Sequence, residues 1–350
     1  MGIGYPVMAT VPKANFRILV NSTMWQSHTW SAAVTNVLSA DEMRKDVESW
    51  SQSLAIAWRM FRRRRSFDVV ATMGPRVALA YGLLCRCIGH ANPPHVVREV
   101  FFHQVYGRTW MWRMKRSLFT FGLRDVAACV VNSNEERRLY ASCLNIAVER
   151  FHFIPFHTNI LDPHFEHGAR YGLAAGKSHR DYRTFLDAIR DLAYPFVVIS
   201  DRGSVAGLKI PDNTSVYCDI PREKYLSLLR DAAFAVVPLY DVPRSTGQVV
   251  ILEAYAFGKP VVATRTVGTI DYVEDGRTGY LCSPGAPDEL QDRVRGIIVD
   301  SGKREEMGRA GLARVLGMHT FEAHVAATLE LIYRAAEGRR CGQRGKNQSS

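Results

Sequence analysis

The sequence predicts an α/β protein built from two domains, each with a parallel sheet covered by helices. Short apolar or β-branched runs alternate with amphipathic stretches along the chain, which is the pattern of parallel strands joined by crossover helices. The length of 350 residues exceeds what one hydrophobic core usually organises. An aperiodic segment rich in His, Asp and Pro interrupts the alternation at residues 156–170. We therefore expect a domain boundary near residue 160.

The first half of the chain is predicted to contain five strands separated by helices. These strands are residues 16–21, 67–72, 95–101, 127–132 and 150–155. In the helix before the second strand, Trp50, Leu54, Trp58 and Phe61 recur at roughly helical spacing, so we expect this helix to pack on the sheet rather than on a bilayer. Residues 1–160 are predicted to form a Rossmann-like domain.

The second half repeats the alternation with six predicted strands. They are residues 171–175, 196–200, 215–219, 234–239, 260–264 and 280–282. Residues 161–318 are therefore predicted to form a second Rossmann-like domain. Ligands of open α/β sheets bind outside the carboxyl ends of the strands. If the two domains face each other, the site lies in a central cleft between them.

The charge of the chain favours phosphate-rich partners. Forty-five Lys and Arg against 34 Asp and Glu leave a net charge of +11, which suits nucleoside diphosphates, anionic lipid headgroups or nucleic acid. Residues 59–65 and 108–124 carry much of this surplus, with arginines between Trp, Phe and Met. These stretches are either solvated helix ends beside core aromatics or a membrane-surface patch. No nucleic-acid recognition motif accompanies them, so we expect no nucleic-acid partner.

The expected location is cytoplasmic, with peripheral contact to the inner face of an anionic membrane left open. Seven cysteines, an odd number, lie mostly within apolar runs, as reduced and buried thiols do. The N-terminal residues lack the pattern of a signal peptide, and no window of about 18 apolar residues occurs. Residues 337–350 are polar and are expected to form a disordered tail.

The stretch from residue 236 to residue 264 predicts an anion-binding turn. It is predicted to form a strand, a loop containing Gly247, a helix, a glycine stop and another strand. The unpaired N–H groups at the start of this helix, together with the helix dipole, form a phosphate site. Glu253 lies in the second turn, where a carboxylate can accept hydrogen bonds from ribose hydroxyls. The alternative is that Glu253 is a surface carboxylate.

A second basic turn is predicted in residues 171–188. There a strand ends at Gly176, and Lys177 and Arg180 precede a helix. Fixed cations beside a leaving diphosphate stabilise the charge that develops in a transition state. Taken singly, each of these side chains could also be an ordinary solvated cation.

Together these stretches resemble the donor-binding domain of family 4 glycosyltransferases, which are retaining enzymes of the GT-B fold. The resemblance rests on the Gly176–Lys177 turn, on Arg180 and on LEAYAFGKPVVA at residues 252–263, with DGRTG at 275–279 and PGAP at 284–287. It covers most of residues 127–335. It implies that Lys177 and Arg180 bind the donor diphosphate, that Glu253 binds the ribose, and that residues 319–336 form a helix returning to the first domain.

One departure from the family pattern concerns the donor sugar. The family commonly has two glutamates eight positions apart. Glu253 corresponds to the later one, and Ser245 occupies the position of the earlier one. Hydroxyls and amides of the loop must then contact the sugar. We therefore assign Ser245 a catalytic-side role and assign donor binding to Thr246, Gly247, Gln248 and Val249 together with the residues above.

A catalytic-side histidine is also implied by the resemblance. His103 follows a middle strand of the first domain and is assigned this role, the alternative being a core or surface histidine. No D-x-D triplet occurs in the chain. We therefore expect no metal ion and no cofactor beyond the nucleotide sugar, which is a co-substrate.

The sequence thus predicts an enzyme that transfers a sugar from a nucleoside-diphosphate sugar to a glycan, lipid or other hydroxyl acceptor, with retention. The replacement at Ser245 supports an alternative from another class. In this alternative the chain is a catalytically weak nucleotide-sugar-binding partner within a glycan-assembly complex.

Overall fold

The fold was analysed in a computed structural model that describes residues 16–22, 24, 27–39, 42, 49–98, 109–168 and 170–347, with side chains in the last helix described to residue 338. The chain divides into two compact units. Unit 1 comprises residues 1–154 and 322–350, and unit 2 comprises residues 155–321. The change of unit after residue 154 falls slightly ahead of the boundary expected near residue 160.

Unit 1 contains a six-stranded parallel sheet in the order β2-β1-β3-β4-β5-β6. Most of its strands are buried along their whole length, as expected for a parallel sheet covered on both faces. The strands are Ile18–Val20 (β1), Val34–Asn36 (β2), Val69–Thr72 (β3), His95–Val97 (β4), Ala128–Val131 (β5) and Phe151–Phe153 (β6).

Most described helices of unit 1 begin at residues whose side chains satisfy a free N–H group. Ser49, Thr109 and Ser133 each accept a backbone hydrogen bond at a helix start, which is the usual N-cap arrangement. The helices between the strands are His28–Ala33 (α1), Trp50–Arg63 (α2), Pro75–Ile88 (α3), Trp110–Leu123 (α4) and Asn134–Leu144 (α5). Helix α3 packs against both α2 and α4.

The buried face of α2 differs from the predicted one. Trp50, Leu54 and Trp58 are exposed, and only Phe61 of the predicted set is buried. The helix instead buries its other face, which includes Ser53 and Ala57. On that face Ile56, Met60 and Phe61 pack with Leu19 and Val70 of the sheet. The helix therefore packs on the sheet as expected, but not through its tryptophans.

Unit 2 contains a second six-stranded parallel sheet, in the order β12-β11-β10-β7-β8-β9. Its strands are Gly172–Ala175 (β7), Phe196–Ser200 (β8), Thr214–Cys218 (β9), Phe234–Val237 (β10), Val261–Thr264 (β11) and Gly279–Cys282 (β12). Its helices are Tyr182–Ile189 (α6), Arg202–Val205 (α7), Arg222–Asp231 (α8), Gln248–Ala256 (α9), Pro287–Val299 (α10) and Ser301–Met318 (α11). Phe185, Phe196 and Phe234 pack in its core.

The last helix, Phe321–Asn347 (α12), carries the chain from unit 2 into unit 1. Residues 337–350 were expected to be a disordered tail, but the helix continues through this segment to Asn347. The segment contains no proline, and its three Arg, two Gln and one Lys have good helix propensity, which outweighs the cost of its three Gly. Polar composition alone was therefore a poor guide to the end of the helix.

The predicted α/β class with two Rossmann-like sheets is confirmed. A strand is found at each of the eleven predicted positions, and β2 is the strand that the sequence analysis missed. It has only three residues and is partly exposed at the sheet edge, so it carries neither an apolar run nor a clear alternation. Within the described part of the chain, no helix is long and apolar enough to cross a bilayer.

Candidate functional site

A pocket of about 290 Å³ lies at the carboxyl edge of the sheet of unit 2. Residues at the ends of β7, β8 and β9 form one side of it, and residues of α8 and α9 form the other. This is the edge at which open α/β sheets bind ligands. The polar residues that line the pocket are Gly176, Lys177, Ser200, Asp219, Arg222, Tyr225 and Glu253.

Glu253 is the buried charge of the pocket. It is 1% exposed, and its oxygens accept hydrogen bonds from Arg222 Nη2 at 2.7 Å and from the Tyr225 hydroxyl at 2.8 Å. Burial and the neighbouring Glu253 carboxylate raise the pKa of Tyr225, so this phenol remains a donor. A buried carboxylate is tolerated only when it is paired in this way.

Gly176 and Arg180 form one packed turn after β7. Gly176 has a φ of +121°, and a Cβ added there would lie 2.3 Å from Nη2 of Arg180. Arg180 donates from Nε to the Ala175 carbonyl and from Nη1 to the Ser178 carbonyl, each at 2.8 Å. It does not line the pocket directly, but it lies immediately behind Gly176, which does.

The Arg180 guanidinium is a buried cation that no described carboxylate neutralises. It is 8% exposed, and burial lowers its pKa. The groups that accept its hydrogen bonds are carbonyl oxygens, which are dipoles rather than charges. The region behind the Gly176 turn therefore has a positive potential that favours a bound anion.

Lys177 lies at the rim of the same pocket. Its Nζ is 3.2 Å from Oδ1 of Asp219, and more than half of each side chain is exposed. An ion pair with this exposure contributes little to stability. Lys177 can therefore leave Asp219 for a stronger anionic partner at little cost.

The loop before α9 provides an uncapped helix N-terminus. Gly247, with a φ of +93°, is the N-cap and supplies no side-chain hydrogen bond. The flanking Thr246 Oγ1 and Gln248 Nε2 are buried and have no hydrogen-bond partner within the described residues. Free N–H groups and unused polar atoms at a helix start suit an anionic or hydroxyl-bearing ligand.

The remaining predicted residues are placed around this loop. Val249, the second residue of α9, lines the pocket, whereas Ser245 is buried in the preceding loop. Gly268 packs against that loop, since a Cβ there would lie 2.4 Å from the Thr246 backbone nitrogen. His103 lies outside the described residues, so its assignment stays a prediction.

Besides Ser200 at the end of β8, the sequence analysis missed three polar residues of the pocket, which are Asp219, Arg222 and Tyr225. They lie between β9 and the first turns of α8, where Pro221 is the N-cap. For Asp219 the available signal was its place directly after a parallel strand, because such a residue must lie at the ligand-binding edge. Among the described residues, no group of three or more His, Cys, Asp and Glu side chains could hold a metal ion.

Comparison with known proteins adds information chiefly about unit 2. Residues 202–314 match the family model "Glycosyl transferases group 1". A D-inositol 3-phosphate glycosyltransferase of Kribbella flavida is 36% identical over 110 residues, which are 31% of this chain and 25% of that protein. An uncharacterized glycosyltransferase of Methanocaldococcus jannaschii is 30% identical over 133 residues, or 36% of this chain and 37% of that protein. The matches thus span well under half of these relatives.

Solved structures resemble the chain over most of its length. Sucrose-phosphate synthase from Thermosynechococcus elongatus superposes with a TM-score of 0.66 and 16% identity, over 87% of this chain and 84% of that one. Anabaena HepE in complex with UDP and glucose superposes with a TM-score of 0.63 and 14% identity, over 90% of this chain and 99% of that one. The chain therefore has the fold of GT-B glycosyltransferases, and residues 202–314 are similar to group 1 glycosyl transferases.

Proposed function

We propose that the chain is a glycosyltransferase that transfers a sugar from a nucleoside-diphosphate sugar to a hydroxyl acceptor, with retention. The observation that carries this proposal is the convergence of Gly176, Lys177 and Glu253 on one pocket. These residues come from two turns more than 70 positions apart in the sequence, and the sequence pattern independently assigns each of them to the donor.

Glu253 is proposed to bind the ribose of the donor. A carboxylate offers about four lone-pair positions, and Arg222 and Tyr225 each donate one hydrogen bond to it. Ribose hydroxyls can therefore share the carboxylate without displacing these side chains. Because the charge is already paired, binding would not require a new buried ion.

The diphosphate is proposed to lie between the Gly176 turn and the start of α9. The buried Arg180 charge and the exposed Lys177 supply positive potential from one side. The uncapped N-terminus after Gly247 supplies N–H groups from the other. Preorganised charges of this kind stabilise a leaving diphosphate as its negative charge develops.

The chemical step follows from departure of the nucleoside diphosphate. An oxocarbenium-like sugar forms, the acceptor hydroxyl attacks the same face, and the leaving diphosphate accepts the hydroxyl proton. Ser245 and Thr246 are proposed to face the sugar, and His103 to act on the catalytic side. No metal ion or further cofactor is needed in this scheme, because Lys177, Arg180 and the helix N-terminus supply the positive charge.

The acceptor is proposed to be a hydroxyl of a glycan or lipid. One relative is named for D-inositol 3-phosphate and another, from Rhizobium meliloti, for lipopolysaccharide core biosynthesis. Unit 1 is proposed to bind this acceptor. UDP-sugars are the first donors to screen, because HepE was crystallised with UDP-glucose.

A thermal-shift screen of nucleoside diphosphates and their sugars tests the proposal. A ligand that binds only the folded protein raises its melting temperature, so at least one nucleotide sugar should do so in the wild type. Measuring the release of free sugar from that donor then distinguishes the two hypotheses. An enzyme hydrolyses the donor slowly, whereas a protein that only binds nucleotide sugars does not. If no nucleoside diphosphate or nucleotide sugar shifts the melting temperature, the proposed site is wrong.

A further inference from the structure

Helix α4 presents large apolar side chains to solvent. Trp110, Met111 and Met114 are 67%, 62% and 60% exposed, and Leu118 and Phe121 are nearly half exposed. The residues of α4 that are buried are Phe119, Gly122 and Leu123. Single exposed apolar residues need no explanation, but a contiguous group of five on one helix marks an interaction surface.

These five residues share one face of the helix. At about 100° per residue they fall within an arc of about 100°. Arg113 and Lys115 project to either side of this arc, and neither pairs with a carboxylate among the described residues. The helix Trp110–Leu123 contains no Asp or Glu. We call this surface, formed by the five apolar residues with Arg113 and Lys115, the α4 face.

The positive charge of the chain is concentrated in the sequence segment that contains the α4 face. Residues 49–124 contain thirteen Lys and Arg against two Asp and Glu, so their net charge of +11 equals that of the entire chain. The rest of the protein is therefore neutral overall. This segment contains α2, α3 and α4, in which α3 packs against both of its neighbours.

Helix α2 has a second exposed apolar stripe. Trp50, Leu54 and Trp58 follow each other at four-residue intervals and are each about half exposed. The same helix and the turn after it carry Arg62, Arg63 and Arg65. Two of the three helices in this layer thus combine exposed tryptophan with unopposed positive charge.

We propose that the α4 face docks on the surface of an anionic lipid bilayer. An apolar arc flanked by cations is the pattern of a helix that lies in the interface plane, with its apolar side chains among the acyl chains and its cations at the headgroups. The absence of acidic residues in α4 matches an anionic surface.

Other partners fit the α4 face less well. A nucleic-acid backbone requires cations at the centre of the contact, whereas here methionine and leucine occupy the centre. A second copy of this chain would bring an equally positive surface against it, and like charges disfavour such a contact. Only an anionic bilayer complements both the apolar arc and the charge around it.

Vesicle co-sedimentation tests the proposal on the full chain. Phosphatidylcholine vesicles with about 30% phosphatidylserine should bind the protein, and pure phosphatidylcholine should bind it at least tenfold less. Binding should weaken with salt. R113Q/K115Q should bind about 25-fold more weakly, because each cation near an anionic surface contributes about fivefold. W110S/M114S should bind the anionic vesicles at least about tenfold more weakly than the wild type.

A matched pair on unit 2 provides the control. Val299 and Leu316 are also exposed apolar residues, so V299S/L316S should bind vesicles like the wild type. All three variants should keep the far-UV circular dichroism spectrum and the cooperative thermal unfolding of the wild type, which shows that both units fold. Equal binding to both kinds of vesicle, wild-type binding by W110S/M114S, or tighter binding to a single-stranded oligonucleotide would overturn the proposal.

Discussion

Glu253 shows how a single side chain can be both costly and useful. Its burial would penalise the ionised form severely without Arg222 and Tyr225, and these two donors reach it from a different helix. The Arg222 side chain is half exposed, whereas Glu253 is buried. The ion pair between them therefore extends from the interior of the pocket to the solvent. The carboxylate is held in place before a ligand arrives, which lowers the ordering cost of binding.

His319 gives unit 2 a predictable acid sensitivity. The residue is buried, its Nδ1 donates to the Phe156 carbonyl at 2.9 Å, and its Nε2 has no partner within the described residues. Burial lowers the pKa of His319 to about 4. The unfolded chain therefore takes up a proton first as the pH falls, and stability that is fully present above about pH 6.5 is lost toward pH 4.

His319→Gln tests this assignment. Glutamine can still donate to the Phe156 carbonyl but does not titrate, so the loss of unfolding free energy between pH 6.5 and 4 should be smaller by about 2–3 kcal/mol. Urea unfolding of both proteins at several pH values measures the difference. His95, whose pKa burial lowers to about 3, contributes the same background to both. Parallel pH profiles would contradict the assignment.

At the residue level, sequence reasoning named some of the residues that line the pocket and not others. Gly176, Lys177 and Glu253 could be predicted because their turns have local signatures of glycine, basic residues and helix starts. Arg222 and Tyr225 could not, since their role depends on how α8 packs beside α9. Arg180 was correctly recognised as part of the turn, but its burial behind Gly176 is a tertiary feature.

The turn between β7 and α6 depends on Gly176 at the level of the element. Its positive φ and the guanidinium 2.3 Å from the position of a Cβ leave no room for a side chain. Gly285 also has a positive φ, of +65°, but a Cβ there would meet nothing within 4 Å. An alanine at either position would strain the backbone, but only an alanine at Gly176 would also displace Arg180. Comparing the two substitutions therefore distinguishes these effects.

Gly176→Ala should cost more than Gly285→Ala. The control should lower the unfolding free energy by about 1–2 kcal/mol, which is the cost of a left-handed alanine. Gly176→Ala must also move Arg180, so it should cost more and weaken nucleoside diphosphate binding at least fivefold. Urea unfolding and calorimetric titration measure the two effects. Equal losses of stability and unchanged binding in both variants would contradict the role given to this turn.

Helix and strand positions were predictable to different degrees for physical reasons. Most of the parallel strands are buried and form continuous apolar runs, and eleven of the twelve described strands were found in the sequence. The periodicity of α2 indicated a helix correctly but not its buried face, because Ile56 and Met60 form a second apolar stripe with Phe61, and that stripe is the one that packs in the core. The continuation of α12 past residue 337 was missed because polar sequences can be helical or disordered.

At the scale of the whole molecule, two kinds of positive charge are separated in the fold. Unit 2 has a few cations around a pocket, whereas the excess of the chain lies in the helices of unit 1. The first kind suits a small anion with defined geometry, and the second suits an extended anionic surface. Mutations in one unit should therefore leave the ligand affinity of the other unchanged.

The proposed donor site also predicts that activity is independent of divalent metals. Lys177, Arg180 and the start of α9 supply the charge that a metal ion would otherwise provide. Sugar release or transfer should therefore keep its rate, within about twofold, in excess EDTA. A complete loss that added Mg²⁺ or Mn²⁺ restores would contradict this prediction.

The central claim is that the Glu253 pocket binds the nucleoside diphosphate of the donor. Calorimetric titration of the diphosphate that most stabilises the wild type tests it most directly. Glu253→Gln should weaken binding by about 1–3 kcal/mol, since a charged acceptor of buried hydrogen bonds is lost. Ser245→Ala, on the sugar side, and Glu306→Ala, at an exposed position, should stay within about twofold of the wild type. Wild-type affinity in folded Glu253→Gln would show that the donor binds elsewhere.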